Sequence, residues 1–164
     1  MINKNCSTIT NHYNKTIMDI PQLKSIILVD DDEISNLFNK IFITKLNIDT
    51  SVDVFLNGKE ALDFFMDQLS GFEDDEYIIE PCMLLLDIKM PVMDGWEFLK
   101  RYAEVFPEHI KKQITIVVLT TSQDECDLVK AMENPDVKEF IRKPLSEEVF
   151  TQLIDKHYTI PLSV

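Results

Sequence analysis

The sequence predicts an α/β chain: a doubly wound sheet of five parallel strands accompanied by five helices. Short apolar runs alternate with amphipathic stretches five times, and no segment repeats another. The first, third and fourth runs are continuously apolar, as strands covered on both faces by helices must be. The length, 164 residues, suits one such domain with a complete core.

Residues 1 to about 22 are polar, rich in Asn, Thr and Ser, and read as a flexible N-terminal tail closed by Pro21. The folded unit is expected over residues 23–158, with 159–164 as a short C-terminal tail. Its first strand is Ser25 to Val29, which runs into Asp30, Asp31, Asp32 and Glu33. Ile34, Leu37, Phe38, Ile41, Phe42 and Leu46 then fall on one helical stripe. A short second strand, Val52 to Phe55, leads to Asn57-Gly58-Lys59-Glu60. There Asn57 can cap a helix carrying Ala61, Leu62, Phe65, Met66 and Leu69, and Glu60 can reach back to it. The acidic segment from Gly71 to Glu80 reads as a solvated loop.

The third strand, Cys82 to Leu86, ends at Asp87. The turn Met90-Pro91-Val92-Met93-Asp94-Gly95 follows, then a helix with Trp96, Leu99, Tyr102, Ala103 and Phe106. The fourth strand, Ile114 to Leu119, ends at Thr120, and Ser122 with Glu125 forms a capping box for a helix bearing Leu128, Val129 and Met132. The fifth strand, about Val137 to Ile141, runs into Lys143-Pro144. Ser146 caps the last helix, with Val149, Phe150, Leu153 and Ile154. The economical arrangement is flavodoxin-like, with strand order 2-1-3-4-5.

Composition narrows the partners. A formal net charge of -13 argues against direct nucleic-acid binding, which needs clustered Lys and Arg. Cys6, Cys82 and Cys126 are odd in number and widely spaced, giving neither a disulfide framework nor a zinc site. No stretch has the length and apolarity of a signal peptide or a membrane span, so a cytoplasmic location is expected.

In an open α/β sheet, ligands bind beyond the carboxyl ends of the strands, where the strand order reverses. Here that place lies between strands one and three, so Asp30, Asp31 and Asp87 converge, with Thr120 and Lys143 at the same edge. Carboxylates so close repel unless a cation lies between them, and hard oxygen ligands suit Mg2+. A carboxylate beside Mg2+ can attack a phosphoryl donor, and Lys143 and Thr120 are suitable partners for the phosphoryl oxygens. Taken singly, each residue has a plainer reading. Asp30 to Glu33 could charge a helix start, Asp87 could belong to a turn, Thr120 could merely close a strand, Lys143 could be an exposed turn residue and Phe140 could be core. None of these readings predicts matched chemistry at four strand ends.

The blocks IILVDDDE, LLLDIKMPVMDGWEFL, VVLTTS and EFIRKPLS, within Ser25 to Lys156, resemble the receiver domains of bacterial response regulators, notably the single-domain, chemotaxis-regulator-like kind. The resemblance implies that Asp87 is a phospho-acceptor, that Asp31 binds Mg2+ directly and Asp30 through water, and that the Lys89 carbonyl is a further ligand. It implies Thr120 as the switch hydroxyl (Thr121 beside it is the alternative), Phe140 as the switch aromatic, and Lys143 as the phosphoryl contact before a candidate cis peptide to Pro144. Lys89 and Ser122 would screen the water that hydrolyses the acyl phosphate. The implied partners are a sensor histidine kinase or histidine phosphotransfer protein, and a downstream protein met by the surface of the fourth helix, fifth strand and fifth helix. The chain is then a switch in two-component signalling rather than a turnover enzyme. Two other readings stand beside this one. A phosphatase of the haloacid-dehalogenase type wants an acidic residue two after its nucleophile, where this chain has Lys89. A pseudo-receiver would bind partners without phosphorylation.

Overall fold

The computed structural model describes residues 20–70, 79–121 and 125–159. Most of the expected tails (residues 1–22 and 159–164), most of the acidic segment from Gly71 to Glu80, and Ser122 lie outside the described residues. In chain order the elements are β1 Ser25–Val29, α1 Glu33–Lys45, β2 Ser51–Phe55, α2 Gly58–Ser70, β3 Cys82–Asp87, α3 Gly95–Val105, α4 Glu108–Lys111, β4 Ile114–Thr120, α5 Glu125–Glu133, β5 Val137–Arg142 and α6 Glu147–His157. All neighbouring strands are parallel, in the order β2-β1-β3-β4-β5.

The strands form where the apolar runs predict. All six residues of β3 are buried, as the central strand of a two-faced sheet requires. On one face Ile27, Leu84, Leu86, Ile116 and Val118 pack with Ala61 and Phe65 of α2 and Phe98, Leu99 and Tyr102 of α3. On the other, Ile26, Leu28, Met83, Leu85 and Val117 meet Ile43 of α1 and Phe150, Leu153 and Ile154 of α6. Among the described residues no helix is long and apolar enough to cross a membrane.

One expectation is corrected. Among the described residues there are six helices rather than five, because Glu108–Lys111 makes a single turn after Pro107, too short to show a period in sequence. The apolar stripe of α1 divides: Ile34 (65% exposed), Leu37 (58%), Phe38 (54%) and Ile41 (41%) face outward, Phe42 and Leu46 pack against the core, and Asn36, Asn39 and Ile43 are the buried residues. Periodicity identifies an apolar face without saying what covers it. Here the inward face is led by an asparagine bonded to the end of β1. Helix α5 is likewise thinly packed: Ala131 is its buried residue, while Val129 and Met132 are 51% and 75% exposed.

Candidate functional site

The site is built from four strand ends. Past β1, the Asp30 backbone N–H donates to the Phe55 carbonyl of β2 at 3.0 Å, which anchors Asp30 at the sheet edge. Its Oδ1 accepts from the Asp32 backbone N–H at 3.0 Å, and the Asn36 amide donates to its carbonyl at 2.8 Å. The acidic run divides its work. Asp32 caps α1, accepting from the Ile34 N–H at 3.0 Å and from the Ser35 hydroxyl at 2.7 Å. The Ser35 hydrogen bond, followed by that of the Ile34 N–H, holds the Asp32 carboxyl below its ordinary range. Asp30 and Asp31 are left to the site.

Asp87 closes β3 and is 6% exposed; its Oδ1 accepts from the Ile88 N–H at 2.8 Å. The turn after it depends on Gly95. A Cβ there would stand 2.5 Å from the Asp87 carbonyl oxygen and 2.9 Å from Ile88 Cα, so only glycine lets α3 start so close to β3. In the same turn Val92 has φ 66, a conformation disfavoured for a β-branched residue, and is 81% exposed.

Lys143 joins the two strand ends. Its backbone N–H donates to the Thr120 carbonyl at 2.8 Å, and the Lys143–Pro144 peptide is cis, as expected. Its Nζ donates to Asp30 Oδ2 at 2.6 Å and lies 3.0 Å from Asp87 Oδ2. One oxygen from each of Asp30, Asp31 and Asp87 lies within 4.8 Å of the others. Burial raises the Asp30 pKa, and the Lys143 hydrogen bond offsets this only in part. Burial also pulls on Lys143, but the Asp30 hydrogen bond and the charges of Asp30 and Asp87 outweigh it and hold the ammonium above its ordinary value. The sign for stability follows. A raised Asp30 favours the fold most below its ordinary pKa, and that contribution fades as pH rises through the elevated value. The raised Lys143 supports the fold across the neutral range and stops doing so only in strong alkali. The site thus sets the buried Asp30 and Asp87 beside the exposed Asp31, with the Lys143 ammonium lying between the two buried members. A donor set of three aspartates fits a hard divalent ion such as Mg2+ rather than zinc.

Thr120 is completely buried at the end of β4. Register pairs Val118 with Phe140 and Thr120 with Arg142, so Phe140 lies one step back along the sheet on the face that Thr120 shares. Phe140 is half-buried against the core of that face. Thr121, the alternative hydroxyl, is exposed. Lys89 is exposed beyond Asp87 and lines, with Asp31, Asp94, Trp96 and Asp127, an open cleft of about 430 Å3. Asp30, Asp31, Asp87, Thr120 and Lys143 therefore gather at one sheet edge. Phe140 is set back, and Lys89 stands at the rim.

Three residues escaped the sequence reading. Asn36 looked like a neutral helix position; the proximity of an amide six residues past Asp30 is the signal that was there. Trp96, read only as one apolar residue of its helix, packs partly against the core and also lines the cleft, with the Lys130 ammonium 4.2 Å from its ring centroid. Asp127 reaches the cleft from α5, and nothing in its local sequence marks it.

Residues 26–155 match the response regulator receiver domain family. The chain is 29% identical over 131 residues to the probable methanogenesis regulatory protein FilR2 of Methanothrix harundinacea, spanning 80% of this chain and 79% of that relative. It is 31% identical over 110 residues to the response regulator Rcp1 of Synechocystis, spanning 67% of this chain and 70% of the relative. A two-component response regulator from Cytophaga hutchinsonii superposes with a TM-score of 0.67 over 82% of this chain and 96% of that structure; at 24% identity this is a likeness of fold. Matched from its first strand into its last helix, and with the acidic pair, the β3 aspartate and the β5 lysine gathered at one edge, the chain belongs to the response regulator receiver domains of two-component signalling.

Proposed function

We propose that this receiver is a Mg2+-dependent phospho-acceptor switch with Asp87 as the acceptor. The observation that carries the reading is Lys143, whose ammonium bridges Asp30 and Asp87 while Asp31 completes a three-carboxylate cluster. An Asp87 carboxylate oxygen attacks the donor phosphorus, the donor-to-phosphorus bond breaks, and the leaving group departs with the electron pair. Asp31 and Asp87, with the Lys89 carbonyl, would hold Mg2+ directly and Asp30 through water. Bound Mg2+ supplies neutralisation of charge on the phosphoryl oxygens. Lys143 turns from its carboxylate partners toward those oxygens, and the Thr120 hydroxyl donates to one of them. Phe140, on the same sheet face, follows Thr120 inward and alters the surface made by α5, β5 and α6. The thin packing of α5 supports a surface that can shift at small cost. Hydrolysis of the acyl phosphate, with Lys89 and Ser122 screening the attacking water, resets the switch. The chain is not a turnover enzyme, and it works in the cytoplasm.

The donor is a sensor histidine kinase or a histidine phosphotransfer protein, and the output is contact with a downstream protein through the α5, β5 and α6 surface. The outward stripe of α1 starts at Ile34, three residues past Asp31, and borders a groove of about 320 Å3 that Phe38, Phe42, Lys143 and Leu145 line. A protein bringing a phosphohistidine to Asp87 must cover this rim, and an apolar stripe of this kind fits an amphipathic helix. The Phe38→Asp variant is therefore expected to lower the ratio of the transfer rate from a protein donor to that from acetyl phosphate about tenfold, a factor equivalent to about 1.4 kcal/mol. Equal effects on both donors would remove α1 from the docking surface.

The reading itself is tested by intact mass after incubation with acetyl phosphate. One added phosphoryl group is expected with Mg2+ and none without it. A folded chain that gains no mass at any donor concentration would be a partner-binding module that works without phosphorylation.

A further inference from the structure

We propose that Asn36 is a positioning residue of the cation site, holding the peptide between Asp30 and Asp31 so that the two carboxylates keep a fixed relation. This rests on the Mg2+-dependent reading above and assigns that site a residue outside its carboxylate set. Asn36 is 4% exposed and lies inside α1, where asparagine is a poor helix former. Its Nδ2 donates to the Asp30 carbonyl at 2.8 Å. Its Oδ1 is buried and meets no hydrogen-bond donor among the described residues. Turning the amide over would set Oδ1 against the Asp30 carbonyl oxygen, two acceptors face to face, so the orientation follows from chemistry. Leucine would fill similar space without a stranded acceptor, yet α1 leaves Ile34, Leu37, Phe38 and Ile41 exposed and buries an amide at this position. A fold chosen for stability alone would not keep an amide here.

The amide's service is local. The Asp30 backbone N–H is held by Phe55, its Oδ1 by the Asp32 N–H and its Oδ2 by Lys143. Asn36 supplies the fourth restraint, on the carbonyl. That carbonyl lies in the same rigid peptide plane as the Asp31 nitrogen. Fixing the plane fixes the direction in which the chain leaves Asp30, and hence where the exposed Asp31 carboxylate stands relative to its two buried partners. Groups that orient metal ligands without touching the metal commonly govern affinity.

The test uses the full chain and its single tryptophan, Trp96, which lines the cleft beside Asp31 and Lys89. Trp96 emission reports Mg2+ titration, with calorimetry as a second readout, and thermal unfolding without Mg2+ reports the fold. Asn36→Leu is expected to raise the Mg2+ Kd about tenfold, while Tm without Mg2+ stays within about 3 °C of wild type or rises. Asn36→Gln, which keeps an amide donor, is expected to recover part of the affinity. Unchanged Mg2+ affinity in the Leu variant, with wild type binding normally, would overturn this inference alone. A weaker Kd accompanied by a large fall in Tm, or failure of both the Leu and an Asn36→Ala chain to fold, would make the residue structural and equally overturn it. Absence of Mg2+ binding by the wild-type chain would overturn the underlying reading and this inference with it.

Discussion

An Asp87→Ala chain is expected to gain no phosphoryl group from acetyl phosphate and Mg2+, a complete loss rather than a slowing, because the oxygen that would form the acyl phosphate is gone. The same change is expected to leave the melting temperature no lower than that of wild type without Mg2+. Asp87 is 6% exposed and lies against Asp30, and its charge is one of the influences that raise the Asp30 pKa. Removing it relieves a buried like-charge contact that Lys143 offsets together with the Asp32 and Ile88 backbone N–H groups. A site that costs stability and supplies chemistry should show this signature. Thermal unfolding of the two chains, beside their intact masses, checks both halves. A variant that still gains a phosphoryl group would move the acceptor elsewhere, and a large destabilisation would make Asp87 a structural residue.

The Lys143→Met chain is expected to be the least stable of the site variants without Mg2+, by about 3 kcal/mol. Among the described residues its ammonium is the one cation bonded to Asp30, at 2.6 Å, and it also lies 3.0 Å from Asp87. Methionine keeps the volume and leaves two buried carboxylates facing each other. Three results follow. The loss should shrink at acid pH, where Asp30, already raised by burial, takes up a proton. It should also shrink on adding Mg2+, which binds the native carboxylate cluster and replaces the missing charge. Phosphoryl uptake should remain slow even with Mg2+, by about a hundredfold, because the oxygens lose a charged donor positioned for them. Thermal unfolding across pH, with and without Mg2+, measures the first two and a time course of intact mass the third. A loss that Mg2+ does not touch would separate Lys143 from the cation site.

How much of this was legible in the sequence depends on what each element buries. The continuous runs Ile26–Val29, Met83–Leu86 and Ile114–Leu119 could hardly be anything but two-faced strands, and once their order was inferred the topology put Asp30, Asp87, Thr120 and Lys143 at one edge. What the stripe of helix α1 meets was not legible, for a physical reason. An apolar stripe at helical spacing is the same string of letters whether it meets a core or a partner, and only packing shows that Asn36 and Asn39 took the inward face. Helix α4 has four residues and no period to read. The division of the acidic run was equally hidden: Asp32 is a cap and Asp30 a buried site residue, which depends on where β1 ends to within one residue. Trp96 and Asp127 line the cleft through the approach of α5 to α3, and no local pattern encodes that contact.

The most direct measurement is the position of the acyl phosphate itself. After incubation with Mg2+ and acetyl phosphate, borohydride reduction converts a phosphorylated aspartate to homoserine, and peptide mass mapping reads which residue has changed. Conversion at Asp87, dependent on Mg2+ and absent from Asp30 and Asp31, is the expected result. Conversion at Asp30 or Asp31 instead, or a chain that stays folded and unmodified throughout, would contradict Asp87 as the acceptor.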